Sequence, residues 1–441
     1  MSLQSPVARL SNWSAARHDT GASAPIASSR PLDSLRAFAA MAVVFTHVLS
    51  MGPDLGPQLL RLLDATPLRV VHTGRAPVVF FFVLSGYVLA LSLLRVDAPG
   101  AVTFAARRTL RLLPPIAAAV LLSAGLRTLV YQGMIPNAGW DVRDLWAEPV
   151  GPLMLARQAL LIGASGWFTL DIPLWSLVHE WRISLIFPIV LLFRRHAVLL
   201  VAVGLVLQAI AVAVGATPDA TQLGPRLAST LVASTYLVLP FAAGAALALG
   251  GSHLVLRGAP RWAAWAGVAT ACALPWDLGY IAGSTALIVL ARGPGRLTRV
   301  LLMPALLWVG RISFSLYLVH MPVLAAMVHA THGWLPSWIA LVVGVPICLL
   351  VAAVFHAGVE APSHRLSRRI SCAKVEQLVR CRKMLTYPAV AWLHGWLGHC
   401  VTPAPAPDIA EPCGPQSTVL VPLRQEAKTF WAGEGGLFCQ L

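Results

Sequence analysis

The sequence predicts an all-α fold, a polytopic transmembrane helix bundle of about ten spans with both termini in the cytoplasm. Hydrophobic residues make up 57% of the 441-residue chain and charged residues only 12%, whereas soluble domains average about 25% charged residues. The mean hydropathy is +0.72. Apolar runs of about 20 residues recur along the chain, and this is the length that a helix needs to cross a bilayer.

Ten apolar runs define the predicted spans. They cover residues 33–51, 76–95, 112–131, 174–193, 197–215, 229–250, 261–276, 278–292, 303–328 and 334–356. We expect the first run to remain in the protein as a membrane helix, because no small-residue cleavage site for a signal peptidase follows it.

Composition divides the chain into three parts. Residues 1–30 are polar and rich in serine and alanine, which predicts a disordered cytoplasmic arm. Beyond residue 370 the composition changes, because all three lysines and five of the seven cysteines lie there. We expect 371–441 to be an appended disordered tail and 31–370 to be the transmembrane domain. The cysteine spacing matches no zinc or redox motif, so no metal site is expected.

Arginines are distributed unevenly between the loops. In a soluble protein the formal net charge of +15 would suggest nucleic-acid binding, but no basic helix or aromatic platform accompanies it. One alternate set of loops is rich in arginine, and the other set is mixed or acidic. The positive-inside rule therefore places the arginine-rich set and both termini in the cytoplasm, and the long loop 132–172 outside. Part of this loop is amphipathic, and we expect either an interfacial or re-entrant segment or an ordinary surface loop.

The first span carries two residues that membrane helices normally exclude, Arg36 near its start and His47 well inside it. Their spacing of eleven residues amounts to three helical turns plus about 20°, so both side chains project from nearly the same face, about 16 Å apart along the axis. Ionisable residues in a membrane usually face a functional interior. Imidazole is suited to general-base catalysis near neutral pH. The alternative is a structural histidine bonded to a neighbouring helix.

Basic residues precede the third span. Arg108 and Arg111 are three residues apart, so they place their guanidinium groups on one side of a helix. Arg107 directly precedes them. Two interpretations are open: these arginines follow the positive-inside rule, or they bind phosphate oxygens in a bidentate manner. Pro114 and Pro115 are expected in the first turn of the span, where proline is tolerated.

Glu180 lies about seven residues into the fourth predicted span, at a depth similar to that of His47. A carboxylate at this depth must pair or become neutral. We expect either a structural pair with Arg182 or His179, or a role in which Glu180 orients and charge-stabilises His47 or contacts a substrate.

Two further pairs of residues are candidates for substrate contact. Trp175 and Ser176 precede Glu180 by about one turn, and Trp175 is either an interface anchor or an aromatic surface for a sugar ring. Tyr317 and His320 are three residues apart and therefore face one side of a helix.

Six motifs, in this order, resemble those of the membrane acyltransferase-3 family. The first is LDSLRAFAAMAVVFTH, which contains Arg36 and His47. The others are FFVLSGY at 81–87, FAARRTLRLLPP at 104–115, PLWSLVHE at 173–180, ISFSLYLVHMPV at 312–323 and VEAP at 359–362. Each motif alone is weakly diagnostic, but the ordered set is specific, and it covers about residues 31–369.

The resemblance implies an integral-membrane O-acyltransferase of a bacterial inner membrane. Such an enzyme moves an acyl group, usually acetyl from acetyl-CoA, to a hydroxyl of a cell-surface or lipid-linked carbohydrate. The implied catalytic residues are His47 and Glu180. The implied donor-binding residues are Arg36, Arg108 and Arg111. The implied acceptor-binding residues are Trp175, Ser176, Tyr317 and His320.

By the same resemblance, acyl-CoA is a donor substrate and no permanently bound cofactor is expected. Expected partners are the donor, the carbohydrate acceptor and the lipid bilayer, with polysaccharide-assembly proteins as further candidates and no nucleic acid. The chain departs from the family pattern at Trp181, where a glutamate or related polar residue is frequent, and at Met321, where tryptophan is frequent. Both departures leave the acceptor open.

Two functions of other classes also fit the residues. A proton-coupled secondary transporter would use buried ionisable groups within ten spans, although the sequence contains no two-fold repeat. A non-catalytic flippase or partner of polysaccharide export would keep the fold without needing His47. Hydrolysis or transfer of a thioester by the purified protein separates these functions.

Overall fold

The structure is a computed structural model of the chain. It describes residues 30–52, 61–63, 65, 66, 69, 74–95, 98–135, 138–162, 169–217, 226–251, 259–273 and 276–370. The predicted tail, 371–441, and the predicted arm, apart from Arg30, lie outside the described residues.

Every regular element in this described part of the chain is a helix. In order, the α-helices are α1 (Arg30–Met51), α2 (Arg75–Leu93), α3 (Ala101–Val130), α4 (Trp140–Asp144), α5 (Pro152–Ala159), α6 (Leu174–Ile186), α7 (Ala197–Ala213), α8 (Leu227–Tyr236), α9 (Val238–Gly251), α10 (Ala259–Ala273), α11 (Asp277–Arg292), α12 (Arg296–Leu301), α13 (Pro304–Arg311), α14 (Ser313–Thr331), α15 (Ser337–Phe355) and α16 (Ala361–Arg368). A 3-10 helix, Phe187–Phe193, continues α6, and a π-helix, His356–Glu360, joins α15 to α16.

The all-α membrane class is confirmed. Among the described residues, seven helical segments are long and apolar enough to cross a membrane: Arg30–Met51, Arg75–Leu93, Ala101–Val130, Leu174–Phe193, Leu227–Gly250, Ser313–Thr331 and Ser337–Arg368. The shorter helices α7, α10 and α11 lie at the other predicted spans. Each predicted span therefore contains a helix, while the number of helices that cross the bilayer stays a prediction.

The third span begins earlier than the sequence suggested. Helix α3 starts at Ala101, so Pro114 and Pro115 lie inside the helix and not in its first turn. Proline lacks the N–H that would bond to the carbonyl four residues before it. For Pro114 that carbonyl belongs to Leu110, and the hydroxyl of Ser363 donates to it at 2.6 Å. A side chain from α16 thus replaces the missing backbone donor.

Helix α1 packs against α2, α4, α13 and α14. Helix α2 also packs against α9, with the two backbones in contact. A Cβ added to Gly86 would overlap the carbonyl oxygen of Phe241, so only glycine fits at this position. Small residues allow such close helix approach in membranes. The polar candidate residues of α1, α3, α6 and α14 therefore lie within a tightly packed apolar bundle.

The loop after α3 folds onto the bundle. Trp146 is fully buried, its indole N–H donates to the Ser123 hydroxyl at 2.9 Å, and its ring stacks on His329 with a centroid distance of 5.6 Å. The carbonyl of Thr169 accepts from the Trp146 backbone N–H at 2.6 Å. These contacts pack part of the loop onto the bundle, while other described residues of it, such as Leu153 and Ile162, stay exposed.

The topology is testable by cysteine labelling. In a background lacking the seven native cysteines, a cysteine at Asp144 should react with a membrane-impermeant thiol reagent in intact spheroplasts, because the arginine asymmetry places this loop outside. A cysteine at Arg296 should react only after permeabilisation. The reverse labelling pattern would refute the orientation.

Candidate active site

His47 lies one turn before the end of α1, and its imidazole contacts a carboxylate from the loop after α3. Nδ1 of His47 is 2.7 Å from Oδ2 of Asp141, and the Ser50 hydroxyl donates to the same oxygen. The side chain of His47 is 15% exposed and that of Asp141 is fully buried. A carboxylate at Nδ1 holds the imidazole proton on that nitrogen, so Nε2 of the neutral ring is the proton acceptor.

Asp141 reaches His47 because the loop contacts the end of α1 at backbone distance. The N–H of Gly139 donates to the carbonyl of Met51 at 3.3 Å. A Cβ added to Gly139 would overlap the carbonyl oxygen of Ser50, so a side chain there would push the loop away. Helix α4 begins at the next residue and turns Asp141 towards His47.

The structure gives His47 a different partner from the one that the sequence suggested. Orientation of His47 by Glu180 was one of the interpretations that the sequence left open, but Oε1 of Glu180 accepts hydrogen bonds from Nη2 of Arg108 and from the Ser85 hydroxyl at 3.1 Å. Similar depth in the membrane fixes only one coordinate, whereas pairing also depends on the rotation of each helix about its axis. Glu180 therefore joins α6 to α3 through an ion pair with Arg108 and to α2 through a hydrogen bond with Ser85. It does not orient His47.

Arg182 and His179, the alternative partners expected for Glu180, form hydrogen bonds with other residues. Nη1 of Arg182 donates to the Thr230 hydroxyl at 3.0 Å, and Nδ1 of His179 lies 2.8 Å from the Ser234 hydroxyl. Both residues therefore attach α6 to α8, away from Glu180.

Helix α14 brings two of the predicted residues to the centre. The ring centroid of His320 is 5.2 Å from that of His47. Nδ1 of His320 is 3.0 Å from the carbonyl of Leu316, which assigns the proton of the neutral ring to Nδ1. Nε2 is buried and has no hydrogen-bond partner among the residues that the structure describes. It is an unused acceptor next to His47.

Tyr317, one turn before His320, connects α14 to α6. Its hydroxyl is 2.7 Å from that of Ser176, and its ring centroid is 6.0 Å from that of His320. Trp175, by contrast, is buried with its ring against His179 at 6.1 Å. It is not an exposed anchor at the membrane surface.

The arginines predicted to bind phosphate do not form one cluster. Arg111 lies with Nε 3.0 Å from Nε2 of His364. Asp33, 3.9 Å from Arg36, also lies within electrostatic range of Arg111 and Arg311. Asp33, near the start of α1, thus has Arg36, Arg311, Arg111 and Arg30 within electrostatic range, and sequence reasoning had assigned Arg311 no role.

Arg108 is buried deeper than the sequence suggested. Only 4% of it is exposed, so it does not lie at the water boundary. One guanidinium nitrogen bonds to Glu180, while Nε and Nη1 have no partner within the described ranges. A buried ion pair with spare donors is suited to bind an uncharged or anionic oxygen next to it.

These contacts connect the polar residues of the interior into one series. It runs from Asp141 through His47, His320, Tyr317 and Ser176 to Glu180 and Arg108, since Ser176 and Glu180 lie one turn apart on α6. The series places a proton acceptor that is held by a carboxylate within a membrane helix bundle, an arrangement that is suited to act on a protic group.

Comparison with protein families assigns the enzyme class. The model of the acyltransferase domain of the acyltransferase-3 family matches residues 31–357, which is most of the chain, and the protein therefore belongs to that family. It is a multi-pass membrane O-acyltransferase. No curated protein and no solved structure matches the chain significantly.

Proposed function

We propose that the enzyme transfers an acetyl group from acetyl-CoA to a hydroxyl of a cell-surface or lipid-linked carbohydrate at a bacterial inner membrane. The observation that carries this proposal is the 2.7 Å hydrogen bond between His47 and Asp141. It directs Nε2 of His47 to act as a base, which is what acyl transfer to an alcohol requires.

The chemistry follows from the arrangement. Nε2 of His47 takes the proton of the acceptor hydroxyl while the hydroxyl oxygen attacks the thioester carbonyl carbon. The carbon–sulfur bond breaks, and the proton passes from the imidazolium to the departing thiolate. The Asp141 carboxylate stabilises the imidazolium between these two events, because opposite charges attract strongly away from water.

The start of α1 is suited to hold the donor's phosphates. Arg36 and Arg111 lie there with Arg311, and arginine binds phosphate oxygens through its planar donors. The axial separation of about 16 Å between Arg36 and His47 follows from the helix rise, and an extended pantetheine arm could cover it. In this proposal the donor enters from the cytoplasm, and Arg108 contacts it further inside.

Donor binding through Arg111 is testable. Arg111→Ala should raise the KM for acetyl-CoA about tenfold or more, because one charge-assisted hydrogen bond contributes about 1.5–3 kcal/mol. Arg111→Lys should recover part of the loss, since lysine lacks the planar fork. The control is Arg365→Ala, which removes an exposed arginine from the helix that carries His364. Equal KM values for both alanine variants would contradict the phosphate role.

Two measurements test the proposed function itself. Purified protein should transfer labelled acetyl from acetyl-CoA to a glycoside, and deletion of the gene should lower the O-acetyl content of surface glycans. The transporter and the non-catalytic export partner predict no consumption of the thioester. Family membership favours the enzyme over both.

A further inference from the structure

Asp171 lies three residues before α6 and is fully buried. Both of its carboxyl oxygens have no hydrogen-bond partner in the part of the chain that the structure describes. Buried polar groups are almost always hydrogen-bonded in folded proteins, so an orphaned carboxyl group requires an explanation. A ligand that occupies the site during the reaction is one such explanation.

The surroundings of Asp171 connect it to the candidate active site. The Tyr317 hydroxyl is 3.3 Å from the carbonyl of Pro173, two residues after Asp171. The carbonyl of Asp171 accepts from the N–H of Leu174 at 3.3 Å, which turns the chain into α6. The carboxyl group lies within electrostatic range of Tyr317, and the ring centroid of Tyr317 is 6.0 Å from that of His320.

The charge state of Asp171 limits what it can bind. Burial raises the pKa of Asp171 well above its usual range, because the charged form is costly away from water. The neutral carboxyl group has one O–H donor and retains acceptor capacity. Such a group is suited to bond to a hydroxyl or ether oxygen, and it gives no advantage to a cation.

Two unused hydrogen-bonding groups therefore lie near Tyr317, the carboxyl of Asp171 and Nε2 of His320. We infer that Asp171 is an acceptor-binding residue that bonds to a hydroxyl other than the one that is acylated, so that the site selects polyhydroxyl acceptors over simple alcohols. This inference rests on the proposed function. A sugar can satisfy several groups at once, whereas a simple alcohol can reach the base and leaves Asp171 unpaired.

The test compares two acceptors with the same alkyl chain, octyl β-glucoside and 1-octanol, with labelled acetyl-CoA as donor. The wild type should prefer the glucoside. Asp171→Leu should raise the KM for the glucoside about tenfold or more, because a site that loses a hydrogen-bond partner leaves a substrate hydroxyl unsatisfied. The KM for octanol and for acetyl-CoA should stay within about twofold. Asp171→Asn should stay near wild type, because an amide also donates and accepts.

Gln158→Leu is the matched control, because Gln158 is another buried residue of the same loop whose amide atoms lack partners among the described residues. The control should keep the glucoside preference. An equal loss in Gln158→Leu, an unchanged preference in Asp171→Leu, or an Asp171→Asn variant as impaired as Asp171→Leu would each overturn the role of Asp171. A wild type that acetylates neither probe would overturn the proposed function and this inference with it.

Thermal unfolding in detergent provides a second measurement that does not depend on activity. Burial raises the pKa of Asp171 in the folded protein, so the unfolded chain binds fewer protons above the ordinary aspartate pKa. The stability of the wild type should therefore fall as the pH rises above that ordinary value. Asp171→Asn removes this group and should show a flatter profile. Parallel profiles for the two proteins would show that Asp171 is not held neutral and would overturn the inference.

Discussion

Replacing His47 with alanine should lower acyl transfer by about 10²-fold or more, which is the usual contribution of a general base, while acetyl-CoA binding changes only a few-fold. His47→Gln should be equally inactive, because glutamine can form a hydrogen bond but cannot take the proton. This prediction rests on the position of the imidazole, which is held by Asp141 at 2.7 Å and lies next to His320. The measurement is acetyl transfer by membranes that contain equal amounts of each variant.

The control for this substitution is His332→Ala, which removes an exposed histidine just after α14. It should transfer acetyl groups at the wild-type rate. An active His47→Gln enzyme would rule out the base role and would move the catalytic assignment to His320 or Glu180.

Replacing Asp141 with asparagine should have an effect of the same order, about 10²-fold or more on transfer. Asparagine fills the same volume, but it carries no charge to stabilise the imidazolium and can present an N–H to Nδ1, which favours the wrong tautomer. Asp141→Glu should recover part of the activity if the loop can adjust. Because Asp141 acts through His47, its loss should change the pH dependence of transfer while the KM for acetyl-CoA stays near wild type.

Asp144→Asn is the matched control, since Asp144 is an exposed carboxylate of the same short helix. It should behave as wild type. Gly139→Ala should lower activity in the same direction as Asp141→Asn, because the added Cβ overlaps the Ser50 carbonyl and moves the loop. Similar activities for Asp141→Asn and Asp144→Asn would mean that the contact with His47 is structural only.

The membrane class and the helix positions could be read from the sequence because they depend on local properties. A run of about 20 apolar residues needs a bilayer wherever it lies in the chain. The start of α3 was harder to predict, since two consecutive prolines normally indicate a first turn. The donor that offsets Pro114 comes from Ser363, and no local pattern could reveal it.

The candidate site could be predicted only in part, for the same physical reason. His47, Tyr317 and His320 were found because polar residues within apolar spans stand out. Asp141 and Asp171 lie in a loop where acidic residues are ordinary, and their burial depends on contacts made by Gly139, Trp146 and Tyr317. The partner of Glu180 was predicted wrongly, because helix rotation is set by packing across the whole bundle.

The origin of the His47–Asp141 pair sets an order of events during synthesis. His47 lies on α1, whereas Asp141 follows α3 and is synthesised 94 residues later, and on the predicted topology its loop must cross the bilayer before the two can meet. His320 arrives later still, on α14. A nascent chain that has inserted α1 but not yet completed the loop after α3 therefore holds an imidazole without its carboxylate. On the proposed base role, such a chain lacks the group that would stabilise the imidazolium, and the catalytic pair is complete only after the loop has been translocated.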